Sequence, residues 1–174
     1  MASASKHSTR ALSAIKSKMG SDVSVVIPCY REKAHILNVL SEIGNETQRI
    51  YVIDDACPDK TGEFVLANCK DKRVEVITNE ENLGVGGATK VGYRVALANG
   101  AKYIVKLDGD GQMTPSSIPL LIEPLKSGKA DYVKGNRFYS LGSLEKMPKS
   151  RLFGNFILSF ISKLSSGYWN IFDP

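Results

Sequence analysis

The chain has 174 residues, which is enough for one domain with a sizeable core and too short for two ordinary ones. Hydrophobic residues make up 43% and charged residues 24%, values near the globular average that exclude a disordered or fibrous protein. The net charge is +5, and no apolar run reaches the roughly 20 residues that cross a bilayer.

The N-terminal segment 1–20 differs from the rest of the chain. It is rich in Ser and Ala, and it contains lysines and an arginine but no acidic residue. This composition predicts a basic, disordered segment followed by one domain over residues 21–174. The three cysteines are odd in number and lack metal-ligand spacing, which predicts a reducing, cytoplasmic environment.

From residue 23 onward, short β-branched runs alternate with apolar residues at helical spacing. The expected strands are 23–27, 50–53, 74–77 and 103–107. The expected helices are 36–43, 61–69, 86–99 and 115–125. Strands joined through helices predict an α/β fold, with a mainly parallel sheet and helices on both faces. Ligands of such sheets bind at the carboxyl ends of the strands, so the loops there are the first candidates for a site.

The motif Asp108-Gly109-Asp110-Gly111-Gln112 follows the fourth expected strand. Two carboxylates separated by one flexible glycine can face the same point. Hard oxygen ligands of this kind suit Mg²⁺ or Mn²⁺, whose other positions are filled by water and substrate phosphates. The alternative is an acidic turn without a ligand, and the motif alone does not decide between the two.

Three further loops at the expected strand ends carry polar or glycine-rich motifs. Asp54-Asp55 can accept hydrogen bonds from a ribose or a base, or it can form a turn and cap for the next helix. The glycine-rich turn Asn82–Ala88 suits either a phosphate at a helix N-terminus or close packing of helix on sheet. Arg137, which ends Gly135-Asn136-Arg137 after the apolar pair Tyr132-Val133, is either a diphosphate ligand or a surface residue.

Together, five ordered motifs strongly resemble the family 2 glycosyltransferases, above all the branch of dolichyl-phosphate mannose synthase and its bacterial polyprenyl-phosphate relatives. The motifs are 26–32, 53–61, 82–88, 108–112 and 135–137. The resemblance implies a GT-A fold and an inverting transfer of a sugar from a GDP- or UDP-sugar. It also implies a Mg²⁺ or Mn²⁺ cofactor and a polyprenyl-phosphate acceptor at the cytoplasmic face of a membrane, with no nucleic-acid partner.

The resemblance also assigns roles to individual residues. Those expected to bind the nucleotide sugar are Pro28, Tyr30, Glu32, Ile53, Asp55, Asp108, Gly109, Arg137 and Arg151. Those expected to hold the metal are Asp108, Asp110 and Gln112. Those expected to act in catalysis are Asp110, Arg137 and Asp173.

The sequence departs from the family pattern at two places in the nucleoside pocket and at its end. Arg31 stands where the family usually has Asn, and Ala56-Cys57 replaces Gly-Ser. In the lipid-phosphate branch, a segment like Asp173-Pro174 continues into a Gly-aromatic stretch, so we expect the C-terminal part of the domain to be missing. The alternatives are a nucleotidyltransferase, which would usually show a basic glycine-rich loop near the first strand, and a catalytically silent nucleotide- and metal-binding module.

An apolar stripe at helical spacing precedes the end of the chain. Its members are Phe153, Phe156, Ile157, Phe160, Ile161 and Leu164. A helix of this kind either lies in a membrane interface or packs on the core of its own domain.

Overall fold

The computed structural model describes residues 22–135, 154, 157–161, 163, 164 and 167. The chain divides into two compact units, Met1–Asp131 and Tyr132–Pro174. The predicted basic segment 1–20 lies outside the described residues, and the single domain over 21–174 stays a prediction.

The first unit follows the predicted alternation of strands and helices. Its strands are β1 Val23–Cys29, β2 Arg49–Asp54, β3 Val74–Thr78 and β4 Tyr103–Lys106. Its α-helices are α1 Ile36–Glu42, α2 Thr61–Asn68, α3 Gly84–Ala98 and α4 Ile118–Lys126, the last preceded by a 3₁₀ turn at Pro115–Ser117. Helix α3 begins two residues before the predicted start, at Gly84, whose φ of 71° suits a residue without a side chain.

The four strands form one sheet in the order β3-β2-β1-β4, and every neighbouring pair is parallel. This confirms the predicted α/β class. The chain builds the sheet outward from β1 to β3 and then crosses through α3 to place β4 on the other side of β1. The order therefore reverses between β1 and β4, the point where open α/β sheets bind their ligands.

Successive side chains of each strand point to opposite faces of the sheet and form two cores. Val25 and Ile27 of β1 belong to the cluster that also contains residues of α1, α2 and α4. Val26 lies on the other face, packed with Ile53 and with residues of α3. Gly92 of α3 allows this helix to approach the sheet closely, because an added Cβ would collide with the Cγ1 of Val26.

In the second unit, the described residues 154, 157–161, 163 and 164 are helical, as the apolar stripe predicts. Five large apolar side chains of this segment have exposed fractions between 41% and 62%. They are Ile157, Leu158, Phe160, Ile161 and Leu164. Phe153 and Phe156 lie outside the described residues. Within the described part of the chain, no helix combines the length and apolar character that a membrane crossing requires.

We expect Gly92→Ala to lower the free energy of unfolding by about 1–3 kcal/mol, because the new methyl group overpacks the contact between α3 and the sheet. The matched control is Gly86→Ala in the same helix, where an added Cβ meets no atom within 4 Å. The control should be neutral or stabilising by about 0.5–1 kcal/mol, because Ala favours the helix over Gly. Urea unfolding followed by circular dichroism measures both, and equal effects at the two positions would contradict the packing argument.

Candidate functional site

A pocket of about 360 Å³ opens at the carboxyl ends of the strands, where the strand order reverses. The end of β1, the residue after β2, the loop after β4 and the start of α3 all contribute to it. The twelve lining residues are Pro28, Cys29, Tyr30, Glu32, Asp55, Asn82, Gly84, Val85, Ala88, Asp108, Gly109 and Asp110. Four of them are acidic, and in this described lining none is basic.

The acidic pair after β2 divides into a structural residue and a pocket residue. Asp54 accepts hydrogen bonds from the backbone N–H of Cys57 at 2.7 Å and of Gly62 at 2.5 Å, and so caps the start of α2. Asp55 points to the opposite face, as alternation along a strand requires. Its Oδ1 accepts hydrogen bonds from the Asn79 side chain at 2.7 Å and from the Leu83 N–H at 3.0 Å. The turn-and-cap interpretation therefore describes Asp54, whereas Asp55 lines the pocket and its binding to a ribose or a base stays a prediction.

The loop after β4 places Asp108 and Asp110 together in the pocket lining. Oδ1 of Asp110 accepts a hydrogen bond from the Gln112 N–H at 2.9 Å, which fixes the turn, and Gly111 has a φ of 74°. At Gly109, an added Cβ would lie 3.2 Å from both the Cys29 Sγ and the Glu32 Cγ. Left-handed backbone thus occurs at Gly111, after the second carboxylate, and not at the intervening Gly109, where the absence of a side chain instead lets the loop lie close to Cys29 and Glu32.

The acids of the pocket repel one another. Burial and the neighbouring carboxylates of Asp110 and Asp108 raise the pKa of Glu32, although His35 opposes the effect. Burial, and then the charge of Glu32, raises the pKa of the Cys29 thiol well above its usual range. The pocket therefore carries an excess of negative charge, which a bound cation would relieve.

The donor atoms of the pocket fit a hard divalent cation. Asp108 and Asp110 offer carboxylate oxygens from one short loop, and Glu32 lines the same pocket. Among the described residues, no three His, Cys, Asp or Glu side chains already stand in metal-binding geometry. Mg²⁺ and Mn²⁺ sites commonly use one or two carboxylates, with substrate phosphates and water in the remaining positions.

Three non-glycine residues with left-handed backbone surround Cys57, beside the pocket. They are Arg31, Ala56 and Lys60, with φ values of 64°, 51° and 54°. Two of them are the departures noted in the sequence, and the residues usual in the family, Asn and Gly, adopt this conformation most easily. Burial raises the pKa of the Cys57 thiol, but hydrogen bonds from Thr61 and from the Arg31 N–H outweigh it and bring the pKa below its ordinary value.

The pocket brings together most of the described residues that the sequence analysis assigned to donor and metal. Pro28, Tyr30, Glu32, Asp55, Asp108, Gly109 and Asp110 all line it. Ile53 lies fully buried in the core on the α3 face, and Gln112 is exposed and is not among the lining residues. Arg137, Arg151 and Asp173 lie outside the described residues.

Sequence reasoning did not place Cys29 or the start of α3 in the site. Asn82, Gly84, Val85 and Ala88 line the pocket, and the glycine-rich turn that contains them was the available signal. No local signal distinguishes Cys29 from the other buried residues of β1.

Curated relatives cover most of this chain. A UDP-N-acetylglucosamine–dolichyl-phosphate N-acetylglucosaminyltransferase of Methanococcus voltae is 32% identical over 84% of the chain and 64% of its own length. A dolichol-phosphate mannosyltransferase of Pyrococcus furiosus is 35% identical over 72% of the chain and 36% of its own length. An undecaprenyl-phosphate mannosyltransferase of Micrococcus luteus is 32% identical over 74% of the chain and 54% of its own length. The chain thus spans between about a third and two thirds of each of these relatives.

Among solved structures, S. aureus TarS 1–349 in complex with UDP-GlcNAc matches with a TM-score of 0.48 and 23% identity, over 63% of this chain and 32% of that one. The model of the family "Glycosyl transferase family 2" matches residues 24–174, which is most of the chain. The chain, whose parallel sheet carries an acidic pocket where the strand order reverses, therefore belongs to glycosyl transferase family 2.

Proposed function

We propose that this chain forms the donor-binding part of an inverting glycosyltransferase that transfers a sugar from a GDP- or UDP-sugar. The observation that carries the proposal is the meeting of Asp55, Asp108 and Asp110 in one pocket at the strand ends. Asp55 comes from one side of β1 and the other two from the opposite side. The proposed nucleoside ligand and the two proposed metal ligands therefore flank the same cavity.

The charge of the pocket supports a metal-dependent donor. Glu32, Asp55, Asp108 and Asp110 would repel the diphosphate of a nucleotide sugar in the absence of a cation. Mg²⁺ or Mn²⁺ held by Asp108 and Asp110 would supply the positive charge that stabilises the departing nucleoside diphosphate. Gln112 remains a proposed third ligand from the exposed side of the turn.

Three further residues of the pocket, Pro28, Tyr30 and Asp55, suit contact with a nucleoside. Tyr30 is 42% exposed, which leaves much of its ring accessible to a base. Pro28 and the anchored carboxylate of Asp55 lie beside it in the lining. Arg137, Arg151 and Asp173 keep the phosphate-binding and catalytic roles that the resemblance assigns to them, as proposals.

We propose a polyprenyl phosphate as the acceptor, at the cytoplasmic face of a membrane. The names of the relatives from M. voltae, P. furiosus and M. luteus support this acceptor class. A lipid phosphate is already anionic, so its oxygen needs positioning more than a general base. The exposed apolar side chains of residues 157–164 suit contact with a lipid surface.

Asp110→Asn should remove most of the Mn²⁺-dependent stabilisation of the chain by GDP or UDP, because the cation loses one of its two carboxylates. At nucleotide concentrations about 100 times the Kd, the wild-type stabilisation is about 2.7 kcal/mol. Thermal unfolding with each nucleotide, with and without Mn²⁺, measures the difference. The control is Asp131→Asn, which makes the same charge change at an exposed residue outside the pocket lining. Stabilisation by a nucleoside triphosphate alone would favour a nucleotidyltransferase instead.

We expect Asp55→Asn to affect mainly nucleotide binding and Asp54→Asn to affect mainly stability. At position 55 the amide oxygen can keep both hydrogen bonds now made to Oδ1, so we expect a small change in stability and about tenfold weaker nucleotide binding. At position 54 both oxygens accept backbone N–H groups, so an amide nitrogen must face one of them. We expect that variant to lose about 1–3 kcal/mol of stability. Urea unfolding and nucleotide titration of both variants test the division, and a reversed pattern would refute it.

The apolar helical segment should bind the chain to lipid. We expect the double substitution Phe160→Ser with Ile161→Ser to weaken binding to phosphatidylcholine–phosphatidylglycerol vesicles at least about tenfold, because a buried large apolar side chain contributes about 1.5–3 kcal/mol. Leu66→Ser with Leu120→Ser is the control, since these side chains are also exposed, at 67% and 72%. Vesicle sedimentation measures both, and equal losses would contradict a specific lipid contact.

A further inference from the structure

Lys106, the last residue of β4, forms an ion pair that neither the sequence motifs nor the proposed function uses. Its ammonium group contacts Oδ1 of Asp108. The two side chains are 27% and 28% exposed, so solvent screens this pair less than it screens a pair on the open surface. The carboxylate is the one that the proposed function gives to a divalent cation.

The placement follows from the alternation of side chains along the strand. Ile104 packs in the core on the α3 face, while Val105 and Leu107 belong to the core on the other face. Lys106 therefore lies on the α3 face, and Asp108, two residues further, continues in the same direction. A lysine at this position reaches the first carboxylate of the motif from the strand, beside the pocket that Asp108 lines.

We propose that Lys106 is a positioning residue that makes metal binding depend on the donor, an inference that rests on the proposed function. In the empty pocket, its ammonium neutralises Asp108 and holds Oδ1, so a divalent cation must displace it. The cation alone therefore binds more weakly than it would with Asp108 unpaired, although the other acids of the pocket still attract it. A nucleoside diphosphate adds negative charge beside the cation, and the two together displace Lys106 from Asp108.

The reciprocity of linked binding makes this proposal measurable. If Lys106 opposes the cation only in the absence of nucleotide, its removal must strengthen binding of the cation alone and reduce the factor by which nucleotide and cation favour one another. A lysine that merely supports the fold would leave that coupling factor unchanged. The coupling factor thus separates the proposed role from a structural one.

The experiment is calorimetric titration of Mn²⁺ into the chain, with and without saturating GDP or UDP. We expect Lys106→Met to bind Mn²⁺ alone about tenfold more tightly than the wild type and to show a coupling factor smaller by about the same amount. Lys106→Arg keeps the positive charge and should behave like the wild type. Lys102→Met is the control for net charge, because Lys102 precedes the other end of β4, about 13 Å away at about 3.3 Å per residue.

The inference is wrong if Lys106→Met binds Mn²⁺ alone no more tightly than the wild type does. It is also wrong if Lys102→Met strengthens the binding of Mn²⁺ alone to the same extent. Circular dichroism melting checks the fold of each variant, and Lys106→Gln replaces the methionine variant if that one does not fold. A wild-type chain without nucleotide-dependent Mn²⁺ binding would refute the proposed function itself. A wild-type chain with such coupling, unaltered by loss of Lys106, would refute this inference alone.

Discussion

The reversal of strand order between β1 and β4 is the constraint on which the site depends. Helix α3 carries the chain from the edge strand β3 across the sheet, so β4 pairs with β1 on the side opposite β2. The loops after β1 and β4 then border a crevice at the carboxyl ends of the strands, and Gly109 lets them approach one another closely. The crevice collects acids from three segments that are far apart in the sequence. Gly92 serves the same arrangement, because it lets α3 lie close against β1 and β2.

The carboxylates of the pocket differ in the contacts that hold them. These contacts suit the different ligands proposed for each carboxylate. Asp55 is anchored through one oxygen by Asn79 and Leu83, which fixes its direction for recognition of a ligand. Among the residues that the structure describes, Asp110 is held by a bond within its own turn, and Asp108 by an ion pair with Lys106. The two proposed metal ligands are thus held by contacts that can rearrange, whereas the proposed nucleoside ligand is held by the loop before α3.

Where the sequence departs from the family pattern, the loops beside the pocket contain strained backbone. Arg31 and Ala56 occupy left-handed conformations that cost roughly 1–2 kcal/mol for a residue with a side chain. The Cys57 thiol accepts the N–H of Arg31 and bonds to Thr61, at 3.0 and 3.2 Å. It joins the loop after β1 to the start of α2 and so holds the strained backbone in place.

The sequence by itself determined the α/β class, the strands and helices within about three residues, and the presence of acids at the strand ends. These features depend on local periodicity and on glycine-containing turns, which short windows of sequence display. Only the tertiary structure decided that Asp54 caps α2 while Asp55 faces the pocket, that Ile53 belongs to the core, and that Lys106 reaches Asp108. Those outcomes depend on which face of a strand meets which helix, and therefore on contacts between segments that are distant in the chain.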